Sequence, residues 1–293
     1  MTIFNLGSIN LDHFYQVPHL PEPGETLLAT SHSTGLGGKG ANQSVAAAQA
    51  GAEVVHIGCV GPEGGWAVER LCALGVNTDN ISTVAAPTAH AIINIDPQAE
   101  NAIVVFPGAN MEQSLAQLET ALNKANAGDM LLLQNETNLA LEAATIARSK
   151  GVTVTYSAAP FNAEATQALL PHTDVLILNS VELTQLTAAT GLTPEALGPA
   201  TIIITEGAKG GRAITPEGEQ RFPAFPVKAV DTTGAGDTHA GYLAAALHEG
   251  QPLADALRLA SAASALKVTK KGTAEAIPSR AEVDAFLKSQ PEA

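Results

Sequence analysis

The chain has 293 residues, 45% hydrophobic and 15% charged, which excludes a disordered chain and leaves ample length for a buried core. With 15 Lys and Arg against 29 Asp and Glu, the net charge is −14, a surface that repels nucleic acid and anionic membranes, so neither is expected as a partner. The apolar runs are far shorter than the ~20 residues that span a bilayer.

The N-terminal segment MTIFNLGSINLD reads as a strand that meets Asp12 early and has no basic n-region, unlike a secretory signal. Residues 13–34 contain LPEPGET, whose prolines and glycine break helices. Cys59 and Cys72 have neither CxxC spacing nor a His cluster, which fits a reducing compartment and a cytoplasmic protein. Further on, AHAIINI and NAIVVF flank DPQAEN and predict a hairpin. Together with 13–34, the segment 88–107 suits a small antiparallel β flap. From Asp129 onward, short apolar runs alternate with helix-period segments: MLLLQ, VTVTYS, DVLILN and TIIIT. Continuous runs fit parallel strands buried on both faces. The predicted fold is therefore α/β, with a doubly wound, mainly parallel sheet and helices on both faces. Asn135 and Glu136, Ser157, Asn179 and Thr205 recur at the carboxyl ends of these runs, the edge where open parallel sheets bind ligands.

Two glycine motifs stand out. Gly37-Gly38-Lys39-Gly40-Ala41-Asn42-Gln43 precedes an alanine-rich helix, whose free first-turn amides are expected to approach a ligand. It is neither a Walker A loop nor a dinucleotide fingerprint. Asp231-Thr232-Thr233-Gly234-Ala235-Gly236-Asp237 opens the helix THAGYLAAALHEG. Its small residues leave amides bare for an anion, and Asp237 is placed to act as a base. A plain acidic helix cap is the competing reading, but a cap needs no Gly-Ala-Gly before it.

These two motifs, in this order and with the terminal segment VTKKGT, resemble the signatures of the PfkB/ribokinase family of carbohydrate kinases across essentially the whole chain. The resemblance implies one domain over residues 1–293, with a lid formed by about 13–34 and 88–107. It implies transfer of the ATP γ-phosphoryl group to O5 of D-ribose. A kinase of fructose or of a nucleoside, with Phe14, Tyr15 and Phe106 as flap residues, and a non-catalytic sugar- or nucleotide-binding regulator are the alternatives.

By the same resemblance, Asp237 is the base and Gly234, Ala235 and Gly236 form the anion hole. Asn10, Asp12, Gly38, Lys39, Asn42 and Glu136 hold the sugar. Asn179, Thr205, Gly207, Gly210, Gly236 and Ser261 bind the nucleotide. Asn179 and Glu182 organise Mg2+ through water, with a first-turn helix glutamate as the plainer reading of Glu182. Backbone carbonyls near Asp231, Thr233, Lys267, Lys270 and Gly272 are expected to surround a K+ that activates turnover. Ala276 replaces the usual serine ligand and should weaken that ion. Lys209 reads as an exposed loop lysine. The segment after Glu182 is shorter than the family's, so a helix there should be trimmed. His90, Phe106 and Pro107 are expected to close over the sugar. The lid is expected to pair with a second copy in a homodimer.

Overall fold

The computed structural model describes residues 1–98 and 100–290. The first half holds β1 (Thr2–Leu6), β2 (Asn10–Gln16), β3 (Ser31–Gly37), α1 (Lys39–Gln49), β4 (Glu53–Val60), α2 (Gly65–Ala73), β5 (Asn77–Thr83), β6 (Ala89–Ile95), β7 (Asn101–Phe106) and α3 (Leu115–Leu122). The second half holds β8 (Met130–Leu133), α4 (Ala140–Ser149), β9 (Thr153–Ser157), α5 (Ala163–Leu169), β10 (Val175–Asn179), α6 (Ser180–Thr190), β11 (Thr201–Thr205), β12 (Gly211–Thr215), β13 (Gly218–Phe222), α7 (Ala235–His248), α8 (Leu253–Lys267) and α9 (Arg280–Ser289).

Among the described residues, nine strands form the main sheet in the order β13-β12-β11-β10-β9-β8-β1-β4-β5. Its pairings are parallel except at the β11–β12–β13 edge. The continuous apolar runs fill both faces. Along β8, Met130 and Leu132 join the core under α1, α7 and α8, while Leu131 and Leu133 join the core under α3 to α6. This is the doubly wound sheet that the strand rhythm predicts. Between α6 and β11 there is a single 3₁₀ turn, Pro194–Ala196, so the segment is trimmed as its length required. No helix among the described residues is long and apolar enough to cross a membrane.

The N-terminal reading needs correction. IFNLGSIN is not one strand: β1 ends at Leu6, and Gly7 to Ile9 carry the chain into β2 of a second sheet. In that sheet, ordered β3-β2-β6-β7, the first two strands run from Asn10 to Gly37, beyond the expected 13–34 at both ends. It is not wholly antiparallel either, since β2 and β6 pair in parallel. Asn10 and Asp12 thus lie on the first strand of the small sheet, where it leaves the large one.

The helices nearest this junction are short-chained. Ala41, Ala46 and Ala47 of α1, with Ala50 just after it, share one core with Ala240, Ala244, Ala245 and Ala246 of α7 and Ala260, Ala262 and Ala263 of α8. A Cβ on Gly241 would meet Gln43 O and Ala46 Cβ. So α1 and α7 touch backbone to backbone, and residues at their N-termini can reach one another.

Candidate active site

The start of α1 is built by close approach. Gly38 caps it at φ 91°, and a Cβ there would meet Ser8 O. The first-turn amides are not free, contrary to expectation. Lys39 N donates to Glu136 Oε2 (2.9 Å), Gly40 N to Ser8 Oγ (3.1 Å) and Ala41 N to Ser8 O (2.8 Å). Ser8 Oγ itself donates to Glu136 Oε2 at 2.5 Å. One oxygen of Glu136 is therefore committed to the helix start, and only Oε1 remains for a ligand. Gly38 positions the loop by its positive φ and its close approach to Ser8 O.

The second motif behaves differently. Gly234 caps α7 in the left-handed region at φ 73°. Of the expected anion-hole amides, Ala235 N is taken by Thr232 O at 3.2 Å. The amides of Gly234, Gly236 and Asp237 donate to no atom among the described residues. The amides left open here are thus those of Gly234, Gly236 and Asp237, with Asp237 N in place of the expected Ala235 N. In the buried Asp237 carboxylate, Oδ2 accepts from Asn42 Nδ2 (3.0 Å) and Oδ1 from Gln43 Nε2 (3.2 Å). Asn42 Oδ1 is buried without a partner. Asn42 thus holds the carboxylate with one atom and offers the other to a ligand.

Behind Asp237 runs a polar network that sequence reasoning missed. Gln134 Nε2 donates to Gln43 Oε1 (2.8 Å) and to Asn5 Oδ1 (3.0 Å). Asn5 Nδ2 reaches Gly40 O and Ser44 Oγ, both at 2.8 Å. Ser44 Oγ meets His56 Nδ1 at 2.8 Å, and burial pushes that imidazole down to about 4, so it is neutral. A buried hydrogen-bonded network of this kind fixes geometry, although Gln134 Oε1 has no partner in it. The available signal was polarity inside apolar runs: Asn5 interrupts IFNL and Gln134 ends MLLLQ.

On the small-sheet side, Asp12 pairs in register with Gly35 and Ala91. A Cβ on Gly37 would strike its carboxylate. Burial, and then the charges of Glu136 and Asp237, raise its pKa to about 7. Asn10 Oδ1 accepts from Asn110 Nδ2 (2.9 Å), while Asn110 Oδ1 accepts from Ile9 N (2.9 Å). Asn110 is a second missed residue, and it locks Asn10 so that its Nδ2 faces outward bonds. The Lys39 pKa is raised, first by Asp237 and then by Glu136 and Glu182. These five charges therefore share one cleft.

His90 does not close over this cleft. It pairs with Leu11, one residue out of phase with Asp12 and Ala91, and so lies on the opposite face. There it sits 5.2 Å from the Phe106 ring and 6.2 Å from His13. The period of two along a strand decides this.

The raised Asp12 has a checkable consequence. Its folded-state value of about 7 exceeds 3.8, so the native state binds more protons between these values and stability falls as pH rises through that window. Asp12→Asn should be more stable than the parent at pH 8 by about 2–4 kcal/mol, and the gap should close toward pH 4. Calorimetric melts of both chains across that range check it.

On the other side of α7 lies a cavity of about 530 Å³. Thr205, Gly207, Gly210, Gly236 and Ser261 all line it, together with Phe225, Val227 and His239. His239 is buried with both ring nitrogens unpartnered, and burial takes it down to about 4. Asn179 does not line the cavity. It caps α6 instead: Oδ1 accepts from Val181 N and Glu182 N (2.9 Å each), and Glu182 Oε2 accepts from Asn179 N (2.7 Å). Both lone pairs of Asn179 Oδ1 are used, so it has none for a metal, though Nδ2 remains. Glu182 keeps Oε1. Burial raises its pKa, against the Asn179 amide and the Lys39 charge. No group of three or more His, Cys, Asp or Glu among the described residues could hold a metal ion by itself. Lys209 is exposed, as read.

The loop before α7 also departs from expectation. Asp231 Oδ1 accepts from Thr233 N (2.9 Å) and Oδ2 from Gly272 N (3.0 Å). Burial opposes ionisation of this carboxyl, but those amides and the nearby Lys267 hold it below the usual range. The Asp231 carbonyl, expected on a K+, accepts instead from Lys267 Nζ at 3.1 Å. The Lys267 carbonyl accepts from Lys270 N at 3.0 Å. Ala276 is buried and supplies no side-chain oxygen. Two of the five carbonyls expected around a K+, those of Asp231 and Lys267, therefore already accept a hydrogen bond.

With this geometry in view, known proteins can be compared. The family model "pfkB family carbohydrate kinase" matches residues 2–280. A ribokinase of Haemophilus influenzae is 37% identical over 303 residues, covering 98% of each chain. The solved ribokinase of Thermotoga maritima superposes with a TM-score of 0.89 at 34% identity, covering 99% of this chain and 100% of its own. An Arabidopsis thaliana ribokinase solved with ribose and ATP superposes with a TM-score of 0.86 at 30% identity, covering 99% of each chain. A match that runs from the first strand to the last helix, through both glycine motifs, is a relationship of the whole fold, and the chain belongs to the pfkB family of carbohydrate kinases.

Proposed function

We propose that this chain transfers the γ-phosphoryl group of ATP to O5 of D-ribose, with Asp237 as the general base. The observation that carries it is the position of Asp237. Its carboxylate is held by Asn42 and Gln43, electrostatically coupled to Asp12 and Lys39 on one side, and one residue from Gly236 of the 530 Å³ cavity on the other.

The sugar lies against Asn10 Nδ2, the Asp12 carboxylate, Asn42 Oδ1, Lys39 and Glu136 Oε1, a mixture of donors and acceptors suited to a small polyol. ATP lies along Thr205, Gly207, Gly210 and Ser261, with its terminal phosphate over the Gly234, Gly236 and Asp237 amides. The sugar hydroxyl attacks Pγ, its proton passes to Asp237, the new O–P bond forms, and the bond to the β-phosphate oxygen breaks to release ADP. Mg2+ bound with ATP would neutralise phosphate charge, and Glu182 Oε1 would hold it through water, since Mg2+ keeps much of its hydration shell. Asn179 Nδ2 can donate to a phosphate. K+ has no part in this proposal, because the Lys267 ammonium stands at the Asp231 carbonyl.

The small sheet, with strands in Asn10–Gly37 and Ala89–Phe106, acts as the lid of a single domain. Its β7 edge exposes Ile103, Val104, Val105 and Phe106, which supports a homodimer through the lid. The free thiols Cys59 and Cys72 support a cytoplasmic setting.

Measuring kcat/KM for ribose, 2-deoxyribose, fructose and adenosine by ADP release tests the reading. Ribose should be preferred, with 2-deoxyribose distinctly poorer because a buried partner of O2 is left unpaired. A preference for fructose or adenosine would replace the acceptor and keep the mechanism. ADP release with none of them would favour a non-catalytic binding role.

A further inference from the structure

Lys267 is fully buried. Lysines almost never are unless something pairs with them, and the reaction as described gives this one nothing to do. It ends α8, and its ammonium donates to the Asp231 carbonyl at 3.1 Å, beneath the loop that leads through Thr233 and Gly234 into Asp237. Burial lowers its pKa, against the opposing charges of Asp231 and Asp237. The same two segments are joined by Val230 N and Asp231 N to Val268 O (2.7 and 3.1 Å) and by Gly272 N to Asp231 Oδ2 (3.0 Å).

We infer that Lys267 is a built-in monovalent cation: its ammonium occupies the place of a K+ at the Asp231 carbonyl and orders the loop that carries the anion-hole amides. An ammonium and a K+ carry the same charge and are of similar size, and both bind carbonyl oxygens. The tethered group is always present, so its occupancy does not depend on salt. A free ion would have to displace it, then find the Lys267 carbonyl already bonded to Lys270 N and no side-chain oxygen at Ala276. Lys267 is thus a positioning residue that acts through the loop, and turnover in this chain is independent of K+. The inference rests on the kinase reading for its activity arm only.

The test compares K+, Na+ and tetramethylammonium chlorides at equal ionic strength, reading kcat and, separately, the melting temperature. The parent chain should give the same kcat and the same Tm in all three. Lys267→Ala opens the ammonium's space. It should lose turnover in tetramethylammonium, regain it in K+ by roughly 5–150-fold, the usual range for one ligand acting on another site, and show a higher Tm in K+. Lys267→Met fills that space without charge and should be slow in every salt. Activation of the parent by K+ to that degree would overturn the inference, as would normal turnover of either variant in tetramethylammonium. If Lys267→Ala does not fold, the parent and Lys267→Met decide. If the parent phosphorylates no sugar in any salt, the kinase reading fails, while a K+-specific Tm rise confined to Lys267→Ala still supports the cation's place.

Discussion

Asp237→Asn should lower kcat by roughly 10²–10⁴-fold, the contribution of a positioned general base, with little change in sugar affinity. The carboxylate is held by two side-chain donors, Asn42 Nδ2 on Oδ2 and Gln43 Nε2 on Oδ1. An asparagine keeps the shape and one acceptor, but it turns an N–H₂ group toward one of those donors and cannot take a proton. The sugar's other contacts, at Asn10, Asp12 and Lys39, are untouched. The loss should therefore appear in kcat and not in KM. Single-turnover rates and ribose KM for the two chains settle it. Near-normal turnover in the variant would place the base elsewhere. Gln43→Leu is the companion measurement: it leaves the base chemically intact but frees Oδ1, so it should cost less than Asp237→Asn and should retain the parent's pH profile.

Gly40→Ala should be strongly damaging for a single added methyl. A Cβ there would run into Gly7 Cα, Gly7 C and Ser8 N, all backbone, so no rotamer change can relieve it. Overpacking of this kind costs about 1–3 kcal/mol and sometimes more. Here it also pulls Lys39 N and Gly40 N away from Glu136 and Ser8. A fall in Tm of about 5–10 °C is expected, with loss of sugar binding in whatever folds. Gly236→Ala is the control, since a Cβ on Gly236 meets nothing within 4 Å and should leave Tm nearly unchanged. Equal Tm for the Gly40 variant and the parent would mean that α1 does not rest on the Gly7–Ser8 crossover as described.

The repeating strands and helices after Asp129 were legible because parallel strands buried on both faces must be apolar throughout, and the short length of each run sets it apart from a buried helix. The grouping of Thr205, Gly207, Gly210 and Ser261 was equally legible, for they do meet in one cavity. What hydrogen bonds do with a residue was not legible. Asn179 and Glu182 satisfy each other in a capping box. Ala235 N is consumed by a turn, and the amides of α1 are taken by residues far off in sequence, Ser8 and Glu136. Which face His90 takes depends on where β2 begins, and a break at Gly7 shifts that phase. Lys267 was read through its carbonyl alone, because spacing says nothing about where a long side chain ends.

The contact between α1 and α7 is rich in alanine, with Gly241 at its closest approach, and the residues that orient Asp237 project from its end. Alanine has no side-chain rotamer to freeze, so the junction orders at little entropic cost. It also has almost nothing that substitution could trim. Replacement at Ala46, Ala47, Gly241, Ala244 or Ala245 can in practice only add volume, and added volume drives the helices apart in the direction that separates Asn42 and Gln43 from Asp237. Genetic variation in this seam is therefore one-sided. Thickening it should erode turnover before it unfolds the chain, so inactive but well-folded variants should cluster there, remote from any atom of sugar or nucleotide.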